Sequence, residues 1–202
     1  MINMLALQDA MNSKINTDWR EAGNEWYRAI WIECAEMLDH YGWKWWKHQQ
    51  ADMDQVILEI VDIWHFILSD LLENTSDQDA LAAELAEQFS EQPSAADIKL
   101  AIESLASKTL LSKSAEVSAF IELMAAVSLT ADDLYRGYIG KNVLNFFRQD
   151  HGYKDGTYQK VWGGREDNEY LVESAASLDV NSETFQDDLY NSLQSHYQRL
   201  CS

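Results

Sequence analysis

Residues 56–72 read VILEIVDIWHFILSDLL, and the fold follows from this stretch. Aliphatic and aromatic side chains run through it almost without a break, so a helix over roughly 52–73 would be buried on most of its sides. That is the pattern of a central helix, with Asp52 or Asp54 placed to serve its N-terminal dipole. The exceptions are Glu59, Asp62, His65 and Ser69, a narrow polar stripe that must look either into solvent or into a lined cleft. Outward from this centre, helical spacing predicts helices over 2–12 and 18–40, the second carrying Trp19, Trp26, Ile30, Met37 and Tyr41. Two shorter amphipathic helices flank Pro93 in an Ala-, Ser- and acid-rich region, and helical periodicity returns over 116–148. A glycine-studded, loop-like segment follows from 150, and a last helix covers 183–200. The expected class is all-α, a helical bundle in one domain over 1–202, with 75–130 an inserted or mobile helical lobe.

Composition agrees with this reading. Of the 202 residues 47% are hydrophobic and eight are tryptophan, which excludes a disordered chain. One proline and eight glycines are too few turn-makers for a fold of many short strands. Cys34 and Cys201 match no metal-ligand spacing, so a disulfide framework or zinc site is not expected and a reducing cytoplasm is. No secretion signal and no stretch long enough to span a membrane are seen, so the expected protein is soluble and has no membrane partner. A formal charge of -19 argues against a nucleic acid polymer as partner. Six of the fifteen basic residues (Arg136, Lys141, Arg148, Lys154, Lys160 and Arg165) nevertheless fall within 136–165, where Asp150 and Asp155 are the only acids. Such a zone suits a small anion.

The acids are spaced with purpose. Glu33 and Glu36, in WIECAEMLDHYGWKWWK (31–47), lie three apart on one helix face, as do Glu59 and Asp62 on the next helix. Both pairs read either as the wet faces of amphipathic helices or as two halves of one site. A solvated face usually sets Lys or Arg four residues from its acids, whereas Glu33 is followed by Met37 and Glu59 by Ile63. If the stripes meet, unit charges about 4 Å apart repel by about 1 kcal/mol in water and about 4 at an intermediate dielectric, so a cation is required. An all-oxygen set suits Mg²⁺, with Mn²⁺ as a substitute. A di-iron bundle would need Glu-x-x-His on two helices, and only Asp62-x-x-His65 approximates it. His65 reads instead as a packed histidine or one that supports a ligand from behind, and Cys34 as a small packing residue.

Four blocks in order, LQDAMN (7–12), ECAE running into DHYGWKWWK (33–47), EIVD running into IWHF (59–66), and GKNVLNFFRQDHGYKDGTYQKVW with GREDN (140–168), resemble the dimeric dUTPases of the all-α NTP pyrophosphohydrolase superfamily. The likeness spans about 4–73 and 134–170 and leaves 75–130 and the C-terminal helix unplaced. It implies a homodimer that converts dUTP, and dUDP, to dUMP with release of pyrophosphate or phosphate, using Mg²⁺. Glu33, Glu36, Glu59 and Asp62 are then the metal ligands, with Glu36 also acting on the attacking water. Gln8 and Asn12, four apart on one face, have amides that complement the donor and acceptor edge of uracil. Trp46 and Phe66 become walls for base and sugar, with Trp26 and Trp31 left to the core. Lys141, Asn145 and Arg148, spaced i, i+4, i+7, make a phosphate-facing helix face, joined by Lys47 and by Lys154, Tyr158 and Lys160 beyond. Asn168 of GREDN would reach base or sugar when that segment closes. Two rival functions remain at this level: a dCTP or broad dNTP pyrophosphohydrolase of the same fold, and a non-catalytic acidic helical module that binds a protein.

Overall fold

α3 (Met53–Glu73) is the element against which the others are laid. The computed structural model describes residues 1–91, 93–94, 97–179 and 182–201. In it 13 of the 21 residues of α3 are buried, so the helix has neighbours on nearly every side. Its start is fixed as the sequence suggests: the Asp52 side chain accepts from the Gln55 N–H at 3.2 Å. α2 (Trp26–Tyr41) lies along it, and α1 (Ile2–Ile15) and α7 (Ala131–Asp150) pack on it and on each other. Among the described residues there are nine helices and one antiparallel pair of two-residue strands, β1 (Val161–Trp162) with β2 (Arg165–Glu166). The protein is all-α.

The face of α3 opposite the polar stripe carries Trp64, stacked on Phe120 at 5.0 Å and met edge-on by Phe89 at 5.2 Å. These rings belong to the region of α4 (Gln78–Gln88), α5 (Ile98–Ser112) and α6 (Val117–Ala126). Asp70 adds polar ties, accepting from the Ser114 hydroxyl at 3.0 Å and the Ala115 N–H at 2.8 Å. Leu85, Leu105 and Leu123 consequently share one apolar core with Ile60, Ile63 and Ile67. Cys34 is a free thiol buried in that core.

Three boundaries differ from the sequence reading, each for a local reason. The second helix begins at Trp26, not at 18, because Gly23 turns the chain at φ +64°. Trp19 is still buried, held outside any helix by its Nε1–H to Asp9 and by Arg20 stacked on its ring at 4.3 Å. The run 116–148 is cut in two, because Thr130 accepts from the Asp133 N–H and Asp133 accepts from Thr130 N–H, a reciprocal cap that starts α7. Within the segment read as loop, Glu166 and Glu169 cap a further helix, α8 (Asp167–Ala176). α9 (Phe185–Leu200) then packs across α7 and α8 through Leu189 and Leu193. Phe147 centres an aromatic cluster with His151, Tyr158, Trp162, Tyr190 and Tyr197, which fixes the segment after α7 to α9.

α7 approaches α3 closely at Gly137, where an added Cβ would lie 2.8 Å from Val61 Cγ2. That contact sets the distance at which Lys141, one turn on, meets α3. Gly137→Ala should destabilise the protein by about 1–3 kcal/mol through overpacking. Urea denaturation of the variant measures this; unchanged stability would show that the helices do not need the close approach.

Candidate active site

One cleft of about 1200 Å³ opens along the polar stripe of α3. α1, α2 and α7 form its sides, and the 153–169 segment forms its rim. On its floor, ligand oxygens of Glu33, Glu59 and Asp62 lie within 4.8 Å of one another. The two acid stripes therefore face each other. Glu36 stands on the same face of α2, exposed and lining the cleft, but outside that triad. Burial, the hydrogen bond to Glu59 and the charges of Asp62, Glu59 and Glu36 push the Glu33 carboxyl up to about 9. Burial also raises Glu59, against the lowering effect of the same hydrogen bond and of Lys141. The shared proton thus sits on Glu33, which donates to Glu59. A cluster that must hold a proton at neutral pH is short of positive charge. Its all-oxygen donor set fits Mg²⁺ or Mn²⁺, and one imidazole, His40, stands beside it with Nε2 3.4 Å from Glu59 Oε1.

The basic side chains converge from α7. Lys141, 2% exposed, reaches Asp62 Oδ2 at 2.8 Å and Asn168 Oδ1 at 3.0 Å. Arg148 is held by both oxygens of Asp167, Nε to Oδ2 and Nη2 to Oδ1 at 2.8 Å each. Burial opposes the charge of Arg148, but this bidentate partner more than offsets it. Burial would raise the Asp167 carboxyl as well, and Arg148 and the Tyr158 hydroxyl, donating at 2.8 Å, hold it below the usual range. Asn145, Lys154 and Lys160 line the cleft too. In this state the Lys154 ammonium donates to the Ile15 carbonyl and Lys160 pairs with Glu166.

At the other end Gln8 and Asn12, both buried, are joined by a 3.0 Å hydrogen bond and linked to Ser69, His65 and Tyr138. Burial lowers His65 to about 4, so its ring is neutral at pH 7. Phe66 stacks with Trp26 at 6.4 Å, and Trp19 meets Trp26 edge-on, giving an apolar wall beside the amides. A carboxylate cluster, a basic side and an apolar wall with an amide edge thus share one cavity.

A family model described as dUTPase matches residues 1–153. The chain belongs to this family. Membership makes it a hydrolase acting on dUTP. The match runs through 75–130, which short motifs left unplaced, and ends before Lys154, Tyr158, Lys160 and Asn168. No curated protein matches the chain.

Most residues expected in a dUTPase site line this cleft; three do not. Tyr158 is turned to Asp167. Trp46 and Lys47 lie outside the lining, because Gly42 at φ +92° ends α2 and carries them into a loop where Trp46, 57% exposed, touches only Trp43 and Trp45 among rings. Trp26, expected in the core, packs against it half-buried and also lines the cleft beside Phe66, while Trp31 is half-buried. The spacing held the signal, since Trp26 and Glu33 are seven apart and share a helix face. Asp167 carried no signal, because Arg148, which holds both of its oxygens, comes from another helix 19 residues earlier in the sequence.

The folded pKa of Glu33 lies above its unfolded value, so stability is full below about pH 4.5 and falls as pH rises towards about 9. In chelator, the melting temperature should drop across that window, and Glu33→Gln should flatten the drop. Thermal denaturation at a series of pH values measures both; parallel curves for the two proteins would contradict the buried proton.

Proposed function

We propose that the protein hydrolyses dUTP, and also dUDP, to dUMP with release of pyrophosphate or phosphate, in a Mg²⁺-dependent reaction carried out by a homodimer. The observation that carries the proposal is the convergence of Glu33, Glu59 and Asp62 within 4.8 Å, in a cleft that also holds Lys141 and Arg148. Pockets for small ligands commonly run to about 300–1,000 Å³, so this one accommodates a nucleotide with water and ions. Glu33, Glu59 and Asp62 would hold the ion, which supplies neutralisation of phosphate charge and makes water a better nucleophile. Glu36, left outside the triad, takes the proton of the attacking water. Lys141 and Arg148, with Asn145, Lys154 and Lys160, face the phosphates and offset charge on the departing group. Trp26 and Phe66 flank the base, while Asn12, held in place by Gln8, reads its edge.

The homodimer is proposed from the resemblance to the dimeric dUTPases, whose family model the chain matches. Among the described residues no helix is long and apolar enough to cross a membrane. The proposal places the enzyme in the cytoplasm, where removal of dUTP keeps uracil out of DNA and supplies dUMP.

Pyrophosphate release from dUTP, dCTP, dTTP and UTP should be fastest with dUTP and cease in chelator. Glu36→Gln should lower kcat by about 10²–10⁴ while nucleotide binding persists. Equal rates with dCTP, activity without divalent cation, or normal turnover by the variant would each count against the proposal.

A further inference from the structure

The base of the cleft is closed by a network in which the direction of each hydrogen bond is determined as well as its position. Ser69 Oγ, on a residue with 0% exposure, lies 2.8 Å from the His65 carbonyl, a group that can only accept. The hydroxyl has one proton and donates it there; Asn12 Oδ1, 3.4 Å from the same oxygen, is the longer alternative. Towards all other groups Ser69 is therefore an acceptor. The amide nitrogens of Gln8 and Asn12 meet it at 3.0 Å each, and turning either amide over would set a carbonyl oxygen against the serine lone pairs.

The rest of the chain of bonds follows from that orientation. Gln8 Oε1 faces inward, 2.7 Å from His65 Nδ1 and 3.0 Å from the Tyr138 hydroxyl. Tyr138 lies equally near the Met4 carbonyl, at 2.9 Å, so the proton on His65 Nδ1 is the one that secures Gln8. The opposite ring nitrogen agrees, because Nε2 is buried without a partner among the described residues. An orphan acceptor there is easier to bear than an orphan N–H. Gln8 has now used both amide protons and one oxygen lone pair, the other facing a Tyr138 hydroxyl shared with the Met4 carbonyl, whereas Asn12 keeps one N–H and one lone pair that these bonds do not use.

We infer that Ser69 is a specificity-determining positioning residue: by fixing the orientation of the Asn12 amide through its own hydroxyl, it commits the cleft to uracil over cytosine. Uracil offers a ring N–H beside carbonyls, and cytosine a bare ring nitrogen beside an amino group. An amide locked in one orientation pairs with the first and meets the second donor to donor and acceptor to acceptor. An amide free to turn serves both. The inference deepens the proposed function and rests on dUTP being the substrate.

Wild type and Ser69→Ala are compared by kcat/KM for dUTP and for dCTP, with ¹⁵N NMR of wild-type His65 recorded beside them. Wild type should prefer dUTP, Ser69→Ala should lose at least about tenfold of that preference, chiefly through KM, and His65 should carry its proton on Nδ1. A folded Ser69→Ala with the wild-type preference overturns the inference, as does a proton on His65 Nε2. The tautomer decides alone if the variant does not fold. Wild type that does not prefer dUTP overturns the proposed substrate instead, a result separable from either of these.

Discussion

Three carboxylates brought within 4.8 Å on the facing sides of α2 and α3 cannot all be ionised unless positive charge is delivered to them. Much of the molecule supplies that charge. α7 carries Lys141 to 2.8 Å from Asp62, and it can do so because Gly137 lets the helix lie directly on Val61. Beyond Lys141 the same helix bears Arg148, whose pair with Asp167 ties it to the start of α8. One ammonium is not enough for three acids, and Glu33 keeps a proton. The deficit is what a divalent cation would fill, and a cation there would face the phosphates of a nucleotide bound along the basic side.

The helical class was legible because the hydrophobic run of α3 leaves a fold of short strands no place for it, and the paired acids were legible because spacing by three marks a helix face. Whether the two stripes face each other was left open by spacing alone, since unpaired acids on two helices fit a solvated face as well as one shared site. What resisted reading depends on contacts distant in sequence. Trp46 stands in a stretch of aromatic and basic residues that resembles a binding loop, yet the turn at Gly42 carries it outside the lining of the cleft. Trp26 looked like one core aromatic among many, and only its stack on Phe66 reveals its place. Asp167 and Tyr158 were hidden differently, in a segment whose glycines suggested a loop while its aromatic residues were building a cluster around Phe147. Local capping marked both missed helix starts, at Thr130 and Glu166, and periodicity alone overlooked them.

The two ends of the cleft work by different physics. At the carboxylate end, charge is unbalanced, a deficit that a divalent cation would complete. At the amide end, the protein satisfies Gln8 and Ser69 while Asn12 keeps one N–H and one lone pair held in one orientation, and His65 Nε2 is buried without a partner among the described residues. Selectivity of that kind needs a dry surround, which Tyr138, His65 and Ser69 provide, all buried.

If Glu33, Glu59 and Asp62 hold the cation, its binding must displace the proton on Glu33. Mg²⁺ is titrated calorimetrically into the protein with a non-hydrolysable dUTP analogue at pH 7, in two buffers of different ionisation enthalpy. Expected is the loss of a proton from wild type on binding and none from Glu33→Gln. Mg²⁺ binding to wild type without proton release would contradict the account.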